Sequence, residues 1–319
     1  MSEKLSLREY YGKTLAELGK TNKDIVVLDS DLSGSTKTST FAKEFPDRFF
    51  NIGISEQDLV GTAAGLAAGG KIPFASTFAI FASGRAWEQI RQSVCYPRQN
   101  VKIVATHGGL TVGPDGPSHQ ALEDIAILRA IPHIQVIVPA DAWEAVAVIK
   151  WAAENDSPCY IRLTREKFPV IYDETKVFVP GKADVLTKGT DATIIACGLM
   201  VHHAIEAASK LEADGLSVGV INSPTVKPLD DETIIEAARE SGAIVTAEEH
   251  SVIGGLGGAV CETLSGNEPV PVIRVGVNDR FCSSGDAEEL LECYDLGVDS
   301  VIAAVRKAVS LKKGTKVNV

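Results

Sequence analysis

Apolar runs rich in β-branched residues recur along the chain and alternate with segments of helical periodicity. Ile25-Val26-Val27-Leu28, Ile72-Pro73-Phe74-Ala75, Val101-Lys102-Ile103-Val104-Ala105, Ile134-Gln135-Val136-Ile137-Val138 and Cys159-Tyr160-Ile161-Arg162-Leu163 each predict a strand. Strands separated by helices predict a mainly parallel sheet covered on both faces. From about Phe168 to Lys188 the alternation fails, with Pro169, Pro180 and Gly181 set among short polar-rich segments, and a linker is expected there. The pattern restarts with Ala192 to Cys197, a helix from His202 to Ala213, Val218 to Ile221, a helix from Asp230 to Ser241, and Ala243 to Ala247. Gly254 to Gly258 opens another helix, and a last one runs from about Val298 to Leu311. The fold class expected is α/β, as two tandem three-layer α/β domains with mainly parallel sheets over residues 1–168 and 189–319, joined by a linker at 169–188.

Composition supports two cores. The chain has 319 residues and 45% hydrophobic content, enough for one large or two ordinary domains, and two is the better expectation. A net charge of −11 with no basic stripe would repel a phosphate backbone, so no nucleic-acid partner is expected. No apolar run reaches the length of a spanning helix, and the N-terminus lacks the apolar core of a signal peptide, so no membrane association and a cytoplasmic location are expected. The six cysteines never form a CxxC pair, which argues against a disulfide framework and a zinc site.

Two polar clusters carry candidate chemistry. Asn51-Ile52-Gly53-Ile54-Ser55-Glu56-Gln57 precedes a Gly/Ala-rich helix, which places one carboxylate at a strand end, where α/β sheets present their chemistry. His107-Gly108-Gly109-Leu110-Thr111-Val112-Gly113-Pro114-Asp115-Gly116-Pro117-Ser118-His119 puts two histidines and an aspartate on a Gly/Pro-rich loop. Phe78 and Phe81, three residues apart, would share a face at a helix start and could stack on a planar ring. The glycines at 254–258 do not fit a dinucleotide-binding pattern, and no Walker A sequence is present; a close-packed strand-to-helix turn is the simpler reading. His202 and His203 are expected on a helix surface, and His250 beside Glu248 and Glu249 as a solvated or capping residue.

Residues Asn51 to Ala67, Thr77 to Arg91 and His107 to Gln120 together resemble transketolases and the related 1-deoxyxylulose-5-phosphate synthases. The most specific element is His-(x7)-Asp-Gly-Pro-Ser-His-Gln. The resemblance implies a thiamine diphosphate enzyme's pyrimidine-binding domain, followed from about residue 190 to 310 by the C-terminal domain. It further implies that a Glu56 carboxyl hydrogen-bonds N1′ of the cofactor's aminopyrimidine and favours the imino tautomer that deprotonates C2. Phe78 and Phe81 match the aromatics that hold the pyrimidine, with Phe81 as the stacking face, while a third aromatic position of the family falls on Gly84. By the same resemblance, Arg8, Ser35, His107 and Arg165 contact a sugar phosphate, Asp115 meets the donor hydroxyl next to the carbonyl, and His119 contacts the two-carbon fragment and assists proton transfer. The Gly-Asp-Gly motif that holds Mg²⁺ and the diphosphate in these enzymes is not found; Gly285-Asp286 is followed by Ala287. The chain therefore resembles the C-terminal subunit of a split transketolase, with no metal ligands of its own and the Mg²⁺ ligands on a separate N-terminal subunit. A heterotetramer with two copies of each chain is expected.

Related chemistries stay open at this point. Gln57 resembles the deoxyxylulose phosphate synthases, where many transketolases have His, but those synthases usually carry an acidic residue at the His107 position. The β subunits of 2-oxo acid dehydrogenase E1 components share the two-domain plan but lack the Gly-Pro-Asp-Gly-Pro-Ser-His-Gln sequence. A non-catalytic assembly subunit is a further alternative.

Overall fold

The computed structural model describes residues 3–314. Its strands are β1 Lys4–Ser6, β2 Ile25–Asp29, β3 Phe49–Asn51, β4 Ile72–Phe78, β5 Lys102–Thr106, β6 Gln135–Ile137 and β7 Cys159–Arg162, followed by β8 Lys167–Pro169 and β9 Asp184–Thr187. The second half adds β10 Ala192–Ala196, β11 Val218–Asn222, β12 Thr225–Lys227, β13 Ile244–Ser251 and β14 Val272–Val277. A seven-stranded sheet runs in the order β12-β6-β7-β5-β4-β2-β3, and a five-stranded sheet in the order β14-β13-β10-β11-β9. β1 and β8 form a small antiparallel pair. The large sheets are parallel except at one edge each, where β12 joins β6 and β9 joins β11 in antiparallel register. The fold is thus of the α/β class expected.

The first sheet is apolar on both faces, which is why its strands read as near-continuous hydrophobic runs rather than as alternations. Ile25, Val27, Phe74, Val104 and Ile161 point to one face, where Tyr11 and Leu15 of the helix Leu7–Thr21 and Val148 and Ile149 of the helix Ala142–Glu154 cover them. Val26, Leu28, Ala75, Ile103 and Ala105 point to the other, against Leu59, Val60 and Ala63 of the helix Glu56–Ala68. That second core continues without a break into Ile195, Ile221, Ile244 and Leu256 of the C-terminal half. A third cluster packs Ile194, Val220 and Val245 on the helices Met200–Ala213 and Val298–Lys312, and it includes Leu110 and Leu122 from the first half.

Segment 169–188 is more than a connection. It contains β9, and its Tyr172 and Lys176 enter a buried polar knot with Glu144, Asn222 and Asp184. Polar-rich composition hid this strand because it lies at an exposed sheet edge, where only alternate residues are covered. Asp230 begins its helix not as the first helical residue but as the N-cap, accepting from the Thr233 N–H.

Candidate active site

The parallel register brings the carboxyl ends of β2, β4, β5 and β7 to one rim, with Asp29 beside Ser76, Phe78 beside Thr106, and Ala105 beside Arg162. Ligands bind at such rims in open α/β sheets. The site candidates leave the sheet there. Glu56 follows β3 and is the first residue of its helix; its side chain is 4% exposed, and the helix N-terminus favours its negative charge. Arg85 reaches the carboxylate from the turn after β4, with Nη1 at 3.1 Å from Oε1 and 3.3 Å from Oε2.

Phe78 is the last residue of β4 and Phe81 lies in the following helical turn, so the two do not share a helix start as their spacing implied. They nonetheless stack at 5.8 Å between ring centroids and 16° between planes. Phe78 is further covered by the His107 ring at 3.7 Å. Phe81 instead meets the Arg85 guanidinium at 4.0 Å from its centroid and the edge of His119 at 5.2 Å.

His107 has a positive φ of 59°, a conformation that costs a non-glycine residue on the order of 1 kcal/mol or more. It is 3% exposed and its Nδ1 is hydrogen-bonded to the Thr106 hydroxyl at 2.8 Å. Burial, reinforced by the nearby Arg8, Arg165 and His119, pushes its pKa down to about 3. His107 is therefore a neutral hydrogen-bonding group near pH 7 rather than a cation.

Arg8 is half-buried. Its Nε donates to the Arg165 carbonyl at 3.1 Å and its Nη1 to the Ser35 carbonyl at 2.7 Å, and burial with the neighbouring Arg165 lowers its pKa. Arg165 donates to the Val112 carbonyl at 2.6 Å and lies 3.4 Å from Asp115 Oδ1. The nine candidates thus fall into two groups: Arg85 joins Glu56 to Phe81, on which Phe78 and His119 pack, and Arg8 and Arg165, near His107, reach Ser35 and Asp115.

Arg8 and Arg165 open into a cleft of roughly 1030 Å³ between the two halves, which Lys4, Lys167, His202 and His203 also line. A cavity of about 590 Å³ beside Lys188, Ile205 and Leu216 holds none of the candidates. His202 and His203 are half-buried, and His203 Nδ1 bonds the Leu296 carbonyl. His250 is neither solvated nor exposed. It is fully buried, with Nδ1 against the Ser251 carbonyl and Nε2 accepting from the Ala126 N–H. Glu248 caps the helix Leu256–Asn267, accepting from the Leu256 and Gly257 N–H groups, and a Cβ on Gly255 would lie 2.0 Å from its Oε2.

Sequence reasoning missed Arg85, Asp124, Arg162 and Glu249. Arg162 donates to Asp124 and to the Ala121 and Glu249 carbonyls, beneath the glycines of the His107 loop. A lone arginine inside the apolar run of β7 was its available signal.

Residues 3–170 match the family Transketolase, pyrimidine binding domain, and residues 181–301 match Transketolase, C-terminal domain. The chain belongs to the transketolase family. It is 51% identical over 298 residues to the protein named "Putative transketolase C-terminal section" of Methanocaldococcus jannaschii, covering 92% of this chain and 93% of that one. With the 6-deoxy-6-sulfo-D-fructose transketolase subunit SqwH of Clostridium sp. (strain MSTE9) it shares 40% identity over 306 residues, or 96% and 95% of the two chains. A split gene transketolase solved as an inactive beta4 tetramer superposes with a TM-score of 0.91 at 56% identity, over 97% of this chain and 99% of that one. The Leishmania mexicana transketolase, at 25% identity and a TM-score of 0.83, is covered over only 48% of its length. This chain is a transketolase-type enzyme chain, the counterpart of the C-terminal section that split transketolases carry on a polypeptide of its own.

Proposed function

We propose that this chain is the catalytic C-terminal subunit of a split transketolase, transferring a two-carbon ketol unit from a ketose phosphate to an aldose phosphate with thiamine diphosphate. The observation that carries the reading is the buried Glu56 carboxylate facing the same guanidinium that covers the Phe81 ring. A hydrogen-bonding group and a stacking face that converge on one planar group suit an aminopyrimidine. Thiamine diphosphate, when bound, would supply the carbon nucleophile that ketol transfer requires. Glu56 would hold N1′ of the pyrimidine and Phe81 its face, with Phe78 backing Phe81 from the sheet. His119, edge-on to both rings, contacts the substrate hydroxyls and moves a proton at the oxygen of the two-carbon fragment. Asp115 hydrogen-bonds the hydroxyl next to the carbonyl. Arg8 and Arg165 bind the phosphate, with the forked geometry that guanidinium groups offer to anions, while Ser35 and neutral His107 add hydrogen bonds.

Among the described residues, no group of three or more His, Cys, Asp or Glu is placed to hold a metal ion. Mg²⁺ and the diphosphate would be held by a separate N-terminal subunit, giving a heterotetramer in which the helix Glu56–Ala68 lies at the subunit contact. Gly61 and Gly65 lie on its solvent side, with no atom within 4 Å of a Cβ built at either, so a second backbone could approach closely there. No helix of the described residues is long and apolar enough to cross a membrane, and the chain would work in the cytoplasm, in pentose phosphate interconversion.

The test is ketol transfer between xylulose 5-phosphate and ribose 5-phosphate, with thiamine diphosphate and Mg²⁺, by this chain alone and with its N-terminal subunit. Activity in the mixture alone is expected. A folded complex without activity would redirect the assignment to another donor or to a pyruvate-using synthase.

A further inference from the structure

We propose that Glu249, a residue of the C-terminal half that reaches no reacting atom, is the positioning residue of the loop carrying His107 and His119. This rests on the reading of those two histidines as substrate contacts. Glu249 lies in β13 and is 3% exposed. Its Oε1 accepts from the backbone N–H of Thr111 at 2.6 Å, across 138 residues of sequence. The loop is shaped to receive it: a Cβ built on Gly109, whose φ is +88°, would lie 2.2 Å from the Glu249 carboxyl carbon. Only glycine allows that approach.

The contact is bilateral. Arg162 Nη2 holds the Glu249 backbone carbonyl at 2.8 Å while its Nε bonds Asp124 at 2.9 Å. A Cβ on Gly108 would meet the Arg162 side chain at 2.7 Å. Leu110, directly after the two glycines, is fully buried in the core of the C-terminal half, and Gln120, at the loop's far end, donates to the Ser283 carbonyl at 3.1 Å. The loop backbone is therefore gripped from the other domain between the two histidines, while Arg165 holds the Val112 carbonyl from the sheet side. This gives the C-terminal half a catalytic task, because a displacement of about 1 Å at a reacting group can cost on the order of a hundredfold in rate.

Reach and charge can be separated at this position. Glu249→Gln keeps an oxygen acceptor at the same distance from Thr111 without the charge, and Glu249→Asp keeps the charge but withdraws it by one methylene. In the complex reconstituted with the N-terminal subunit, Glu249→Gln should keep kcat within about threefold, and Glu249→Asp should lose about tenfold or more. Thiamine diphosphate affinity should stay within about twofold in both. Hydrogen exchange over residues 107–120 should quicken in Glu249→Asp relative to Glu249→Gln. An active Glu249→Asp, or a Glu249→Gln that falls as far as Glu249→Asp, overturns the proposal. Glu56→Gln and His119→Ala run in parallel: their full activity would sink the site reading itself, whereas their inactivity beside an active Glu249→Asp would sink the positioning role alone.

Discussion

Arg85 and Glu56 form an ion pair of 3.1 and 3.3 Å across the site, one partner 52% exposed and the other 4% exposed along the side chain. The same guanidinium stacks on Phe81 at 4.0 Å. One planar donor thus covers both groups proposed to hold the aminopyrimidine, and on that proposal the cofactor would have to displace it. An exposed arginine in such a pair contributes about 0.5–1 kcal/mol. Arg85→Ala should therefore tighten thiamine diphosphate binding about two- to fivefold, measured by calorimetric titration of the complex. Weaker binding would show instead that Arg85 supports the bound cofactor.

His107 gives a signed pH dependence. Its pKa falls from the ordinary 6.5 to about 3 on folding, so between those values the unfolded chain binds more protons and stability is lost as the pH drops. One such group contributes a slope of at most about 1.4 kcal/mol per pH unit. Glu144 and Glu249, both raised to about 7 by burial, act in the opposite sense, since a raised carboxyl pKa favours the fold at low pH. Comparing wild type with His107→Asn cancels their effect. The variant should lose less thermal stability than wild type between pH 6.5 and 4.5, and Asn tolerates the positive φ.

Arg165, proposed to bind the substrate phosphate, also holds the loop through Val112 and Asp115. Arg165→Ala should raise KM for the sugar phosphate about tenfold, with a smaller drop in kcat. Arg165→Lys should not restore it, because an ammonium cannot serve the carbonyl, the carboxylate and a phosphate with one fork. Steady-state kinetics at varied donor concentration distinguishes the two variants.

Glu144 accepts from the Ala140 N–H and the Asn222 amide and lies 3.5 Å from Lys176 Nζ, fully buried where the two halves meet. Glu144→Ala leaves the Ala140 N–H unpartnered and strips one acceptor each from the Asn222 amide and Lys176, which keep Tyr172 and Asp184, a loss of about 3 kcal/mol. The thermal midpoint should fall by roughly 5–10 °C. A shift near zero would mean that the linker repacks around the gap.

Much of this protein follows from local rules that a sequence carries openly. Strands such as Ile25–Asp29 are apolar on both faces and flanked by amphipathic helices, so the α/β class and the run of parallel strands were legible from the hydrophobic pattern. The glycines and prolines around Asp115 and His119 marked a shaped polar loop, and Glu56 marked a carboxylate at a helix start. What stayed hidden depends on contacts between residues far apart in the chain. β9 and β12 are short edge strands whose pairing is set by neighbours from elsewhere in the fold. The neutrality of His107 comes from burial and from arginines 99 and 58 positions away, Arg8 and Arg165, which sequence spacing does not encode. Nothing in the sequence sets Glu249 apart from its neighbour Glu248 until β13 is docked beneath the loop, where burial raises its pKa and Thr111 supplies its partner. Hydrophobic periodicity and turn chemistry are properties of neighbours along the chain, so the sequence by itself determined the central strands, their helices and the rim; edge pairing, electrostatics and positioning depend on separation in space, so only the tertiary structure decided those and which charges meet at the rim.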